Sequence, residues 1–220
     1  MVESNEARLV LLASVIVTAL LYVVPGGRMV SYPLLLLSTL AHELGHGVAA
    51  WMVGGSFERF MMAPDGSGVA FSRIADNRLA RAVVAAGGLV GPAVVAALFF
   101  VFGRTMQGAR WTLTLTVVAL SIFLVLVVRG WFSVVFVMVV IGLGGAVIAW
   151  ASPRILQLVL IFVAVQLSLA VFSRGDYLFT PTAQTAQGPM PSDVGQMAQA
   201  LFLPYWFWGL VCGGFSVAVL

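Results

Sequence analysis

The only two histidines of the 220-residue chain, His42 and His46, stand four positions apart, with Glu43 next to the first. On a helix, residues four apart project from nearly the same face. Both imidazoles can therefore hold one Zn2+ ion, while Glu43 lies beside them to take a proton from the water such an ion activates. His-Glu-x-x-His at this spacing is the arrangement of zinc hydrolases. The run that carries it is otherwise largely apolar, and an ionisable side chain in mid-membrane costs about 3 kcal/mol on insertion scales. Three together are hard to rationalise as a polar cluster that merely packs against a neighbouring helix, whereas a bound ion offsets the cost. Bis-histidine haem ligation needs imidazoles on opposite faces of the iron, normally from different helices, which disfavours haem.

Catalytic zinc usually has three protein ligands and one open position, so the third must come from elsewhere. Cys212 has no partner cysteine, and beyond Asp76 the only acidic residues are Asp176 and Asp193. Asp193 follows Pro191-Ser192 at an expected helix start and is the first choice; its rival role is a helix N-cap or macrodipole partner. Asp176 is the alternative, with an ion pair to Arg174 as its rival role. Glu58, Asp65 and Asp76 rank below both, because turn formation and solvation account for them.

The elements that must position these residues are membrane helices. The chain is 61% hydrophobic and 9% charged, against roughly 25% charged in a soluble domain. A helix needs about 20 apolar residues to cross a hydrocarbon core of about 30 Å. Such runs occupy 9–24, 32–53, 79–102, 111–128, 131–151, 155–172 and about 201–220. The expectation is a single domain over residues 1–220, an all-α polytopic bundle. It has six or seven spans, according to whether the turns at Arg129-Gly130 and Ser152-Pro153-Arg154 separate spans or bend longer ones. The first run follows Glu3 and Glu6 and ends without an Ala-x-Ala-like site, which predicts a retained anchor rather than a cleaved signal peptide. The net charge of +3 comes from arginines isolated at the ends of apolar runs, so nucleic acid is not expected as a partner. Alternated across seven spans, the arginines favour a cytoplasmic N-terminus.

Two polar stretches interrupt the helices. In 54–78, residues 57–62 and 69–74 read as short strands around the turn Pro64-Asp65-Gly66-Ser67-Gly68, a small β-hairpin after the second span. The stretch 173–192, rich in Thr, Gln, Pro and Gly, shows no strand or helix periodicity. It reads as a long connection of the kind that is functional or disordered.

The chain resembles the site-2 protease family of intramembrane zinc metalloproteases, and especially its small bacterial branch of HExxH membrane peptidases. The resemblance rests on Ala41-His-Glu-Leu-Gly-His-Gly-Val-Ala-Ala50 in an early span, Gly54-Gly55 and the Pro64 to Gly68 turn after it. Gly87-Gly-Leu-Val-Gly-Pro92 in the next span and Ser192-Asp193 with Gln196 and Ala198 near the C-terminus complete it. It covers most of the chain in order, with His-Glu-Leu-Gly-His as its sharply specific part. It implies that an aspartate opening a later helix completes the zinc site, which adds weight to Asp193. Larger relatives carry that aspartate in a Leu-Asp-Gly setting, absent here. It also implies a multi-pass protein of the bacterial cytoplasmic membrane that cuts a membrane-embedded or membrane-bordering segment of another protein. Gly87 and Gly91 form a small-xxx-small face, which by resemblance packs near the motif helix. The hairpin offers an edge on which an extended substrate strand can pair. Two rival functions stand beside this one. A zinc transporter needs coordinating groups along several spans, and the spans after Leu79 hold no acid, histidine or lysine in their interiors. An inactive relative that binds membrane partners would keep the motif as a relic.

Overall fold

The computed structural model describes residue 16 and residues 27–173, 177–185 and 188–220. The expected span at 9–24, apart from residue 16, and Asp176 lie outside the described residues. Along the chain come α1 (Gly27–Met52), β1 (Ser56–Met62), β2 (Gly68–Arg73), α2 (Arg78–Phe102), α3 (Met106–Leu126), α4 (Trp131–Trp150) and α5 (Pro153–Ser173). A 3-10 turn (Tyr177–Phe179), β3 (Thr182–Thr185), β4 (Gly188–Pro191), α6 (Asp193–Leu201) and α7 (Tyr205–Val219) follow. The protein is thus mostly helical, with the expected hairpin after the motif helix.

Among the described residues four helices, α2 to α5, are long and apolar enough to cross a membrane, and a fifth span results if α6 and α7 are one broken crossing. Trp131 and Trp150 sit exposed at the two ends of α4. They are about 28 Å apart at 1.5 Å per residue, which matches the aromatic belts of a bilayer of about 30 Å. The motif helix α1 has 26 residues but falls outside that set, because His42, Glu43 and His46 themselves dilute its apolar content. The last expected span, about 201–220, is shorter in the structure: α7 covers Tyr205–Val219, and α6 before it meets it at 116°. Phe202 there takes the left-handed conformation with φ 63°, and Pro204 has no N–H to continue a helix and keeps its predecessor out of the helical region.

The span expected at 111–128 ends early for a different reason. Val127 and Val128 leave α3 and run alongside β1. The Phe60 amide donates to Val127 O at 2.9 Å, and the Arg129 amide donates to Phe60 O at 3.0 Å. Just beyond, the Met62 amide donates to the buried Ser133 Oγ at 2.7 Å. One margin of the hairpin is therefore fastened to the α3–α4 corner, with Phe60, Val127, Val128 and Val137 in one apolar cluster with Leu36 and Leu40 of α1.

The other polar stretch differs from expectation. Within 173–192, β3 and β4 pair antiparallel, Thr182 opposite Pro191 and Thr185 opposite Gly188. A second hairpin thus stands where a structureless connection was expected. Its strands are polar or proline-bearing and lack the alternation that signals a strand.

Helix α2 is the hub, packing against α1, α5, α6 and α7. Its contact with α1 is backbone on backbone. A Cβ placed on Gly91 would stand 3.0 Å from Ala41 O and 3.1 Å from Gly45 Cα, so the small residues at 45, 87 and 91 set the distance between the two helices.

Candidate metal centre

The α1–α2 contact puts the second helix against the imidazoles. His46 Nδ1 lies 2.7 Å from Val84 O in α2; a carbonyl only accepts, so Nδ1 donates, and the neutral ring keeps its lone pair on Nε2. Gly88, one turn beyond Val84, makes this possible. A side chain there would overlap the His46 ring, its Cβ reaching 2.9 Å from Cδ2 and closer still to Cε1 and Nε2. His42 meets His46 edge to face, ring centroids 4.7 Å apart, with the two Nε2 atoms 3.2 Å apart.

The carboxylate comes from the far end of the chain. Asp193 is the first residue of α6, and its N-cap is Ser192, whose side chain accepts from the Gly195 amide at 3.1 Å. The capping role considered for Asp193 thus belongs to its neighbour. Asp193 turns to the histidines: Oδ2 is 3.0 Å from His42 Nε2 and Oδ1 is 3.4 Å from His46 Nε2. It is 3% exposed. Despite that closeness, Oδ2 receives no aligned hydrogen bond among the described residues.

These separations test the fit of a cation. Ligand atoms at about 2.0 to 2.1 Å from a tetrahedral zinc are about 3.3 Å from one another. The three contacts of 3.2, 3.0 and 3.4 Å fall around that value. Two imidazole nitrogens and a buried carboxylate oxygen without a hydrogen-bond donor suit a divalent ion of zinc's preferences. His42, His46 and Asp193 are the one group of three metal-capable side chains among the described residues, their ligand atoms all within 4.8 Å of one another.

Glu43 is 3% exposed and lies under the hairpin. A Cβ on Gly68 would come 2.5 Å from Glu43 Oε1 and 2.7 Å from its Cγ, so Gly68 leaves the room in which the carboxylate sits. The turn before it is laid along α1: Tyr32 OH donates to Pro64 O at 2.6 Å, and the buried Thr39 hydroxyl donates to Gly66 O at 2.8 Å. The lower-ranked acids lie elsewhere. Glu58 pairs with Arg73 at 2.8 Å, Asp76 with Arg81 at 3.3 Å, and Asp65 accepts from the Ser67 amide and hydroxyl. Sequence reasoning gave Gly68 only a place in the turn, Gly88 only a place in the resemblance and Ser192 only a place before the helix, and it gave Val84 none. The two glycines lay in plain view within Asp65-Gly-Ser-Gly68 and Gly87-Gly88, whereas a helix carbonyl such as that of Val84 leaves no signature in a sequence.

Fold and site together define a helical membrane protein with a buried two-histidine, one-carboxylate cluster suited to a metal ion. The model of the Peptidase M50B-like family matches residues 13–220, and the chain belongs to that family, the site-2 protease family. Its members suggest a membrane metalloprotease, although some are not catalytic. No curated protein and no solved structure matches the chain.

Proposed function

We propose that this protein is an intramembrane zinc endopeptidase of the small bacterial HExxH branch. It crosses the bacterial cytoplasmic membrane six or seven times when α1 and residues 9–24 are counted as spans. His42, His46 and Asp193 hold the zinc. The single observation that carries the reading is the Asp193 carboxylate within 3.4 Å of both imidazoles, delivered to a buried site by a helix that belongs to the other end of the chain. When bound, zinc supplies Lewis acidity, lowering the pKa of a water toward about 7 and polarising an amide carbonyl. Glu43 takes the proton from that water and returns it to the leaving amine. Its burial beneath Gly68 keeps bulk solvent from competing for it.

The substrate is a membrane-spanning or membrane-bordering segment of another protein, unwound locally because a helix hides its own peptide groups. Strand addition to the first hairpin would present such a segment. The outer edge of β1 is taken by Val127, Arg129 and Ser133, whereas β2 bonds to no further strand among the described residues. A strand paired along β2 would reach Gly68, and there Glu43.

Glu43→Gln tests the assignment. The full chain, in proteoliposomes with a panel of single-span membrane proteins, should keep its zinc and lose cleavage by about a hundredfold to ten-thousandfold. Cleavage that survives the substitution refutes the assignment, as does purified wild-type protein that takes up no zinc. Unchanged partner capture without any cleavage by the wild type would favour the inactive relative.

A further inference from the structure

Asp193 occupies a position where a carboxylate has a competing attraction. The first turn of a helix presents unpaired N–H groups and the positive end of the macrodipole, and an aspartate there is drawn to cap its own helix. In this chain the carboxylate turns away, and Ser192 accounts for it. The Ser192 hydroxyl accepts from the Gly195 amide, and it donates its proton to Thr180 O. The Ser192 amide donates to Pro181 O at 3.0 Å, and Ser192 O accepts from the Gln196 amide at 2.8 Å. Residue 192 is thereby stitched to the far side of the β3–β4 hairpin, at 1% exposure. Gly195 packs so closely on the Pro181 carbonyl that no side chain fits between them.

We propose that Ser192 is a positioning residue for the metal centre. Its hydroxyl satisfies the helix N-terminus in place of Asp193 and locks the backbone to Thr180, which holds the Asp193 carboxylate on His42 and His46. The second hairpin is then the fixture that brings the chain back to the point where this lock closes. The inference rests on His42, His46 and Asp193 as zinc ligands, and its consequence is specific: removing the hydroxyl frees the carboxylate to fall back onto its own helix.

The experiment is a zinc-affinity series on the full chain in detergent micelles, by competition with a chromogenic chelator, alongside the melting midpoint of the metal-free protein. Ser192→Ala and Ser192→Gly should each weaken zinc binding by about tenfold to a hundredfold, the range for losing an outer-shell partner. Ser192→Thr, which restores a hydroxyl, should stay within about threefold of wild type, since Thr also caps helices. Ser192→Gly is the decisive variant, because glycine carries a smaller capping penalty than alanine, and its metal-free midpoint shows how much of any affinity loss is general destabilisation. Wild-type affinity in Ser192→Gly overturns the proposal. So does an affinity loss that follows the metal-free midpoint and is shared by Ser192→Thr. If instead Asp193→Asn and His42→Ala bind zinc as tightly as wild type, the ligand assignment itself has failed, and the role of Ser192 falls with it.

Discussion

Gly88→Ala tests whether the centre depends on space left by α2. The added methyl would overlap the His46 ring, reaching within 2.9 Å of Cδ2 and nearer to Nε2, where carbon contacts prefer about 3.5 to 4.0 Å. The ring must withdraw by about 1 Å. That lengthens its 2.7 Å bond to Val84 O to about 3.7 Å, beyond hydrogen-bonding distance. Losing the partner that fixes the tautomer weakens zinc by about tenfold to a hundredfold, and misplacing a catalytic group by about 1 Å costs about a hundredfold in rate. Alanine favours the helix over glycine by about 1 kcal/mol, so lost binding is not expected to arise from a melted helix. Zinc affinity by chelator competition measures the effect, with Gly142→Ala as control, since a Cβ at Gly142 meets nothing within 4 Å. The reasoning is refuted if Gly88→Ala holds zinc as tightly as Gly142→Ala.

Ser133→Ala leaves the buried Met62 amide without its 2.7 Å acceptor and should cost about 1 to 3 kcal/mol, read as a lowered thermal midpoint with zinc affinity nearly unchanged. At the hairpin tip, the Ser67 hydroxyl and amide hold the Asp65 carboxyl below its ordinary value. A folded value below the unfolded one stabilises the turn above about pH 4, and the contribution is lost as pH falls through the folded value. Exchange protection at the Ser67 amide, corrected for intrinsic rate, should therefore drop on acidification. Asp65→Ala should abolish that drop, and an unaltered drop in the variant would remove Asp65 as its cause.

The sequence was legible where its signals are local. His42, Glu43 and His46 declare themselves by spacing, the long apolar runs declare helices, and the Pro64 to Gly68 turn declares the first hairpin with nearly the observed ends. Elimination among the few acids after Asp76 left Asp193 and Asp176, and the expected helix start, with the family resemblance, put Asp193 first. The illegible parts depend on contacts between distant segments. Val127 and Val128 look like helix, and in the structure they leave α3 to lie along the edge of β1 just before Gly130, which has φ 82°. Thr182–Thr185 and Gly188–Pro191 pair as strands that bring Ser192 beside Thr180 and Pro181, long-range contacts that leave no periodicity in the sequence. The last apolar run, 201–220, starts earlier than α7, and Pro204 was the one local sign that the helix begins only at Tyr205.

The fastening of β1 also sets how freely the hairpin can part from the α3–α4 corner. Separating the hairpin from the α3–α4 corner breaks the bonds at Phe60, Arg129 and Met62. At about 1 kcal/mol net each, the sum is about 3 kcal/mol, which leaves the parted form at less than about one molecule in a hundred. Left to thermal motion the seam is nearly always shut, and any guest that enters by prising it open must bring that much affinity of its own.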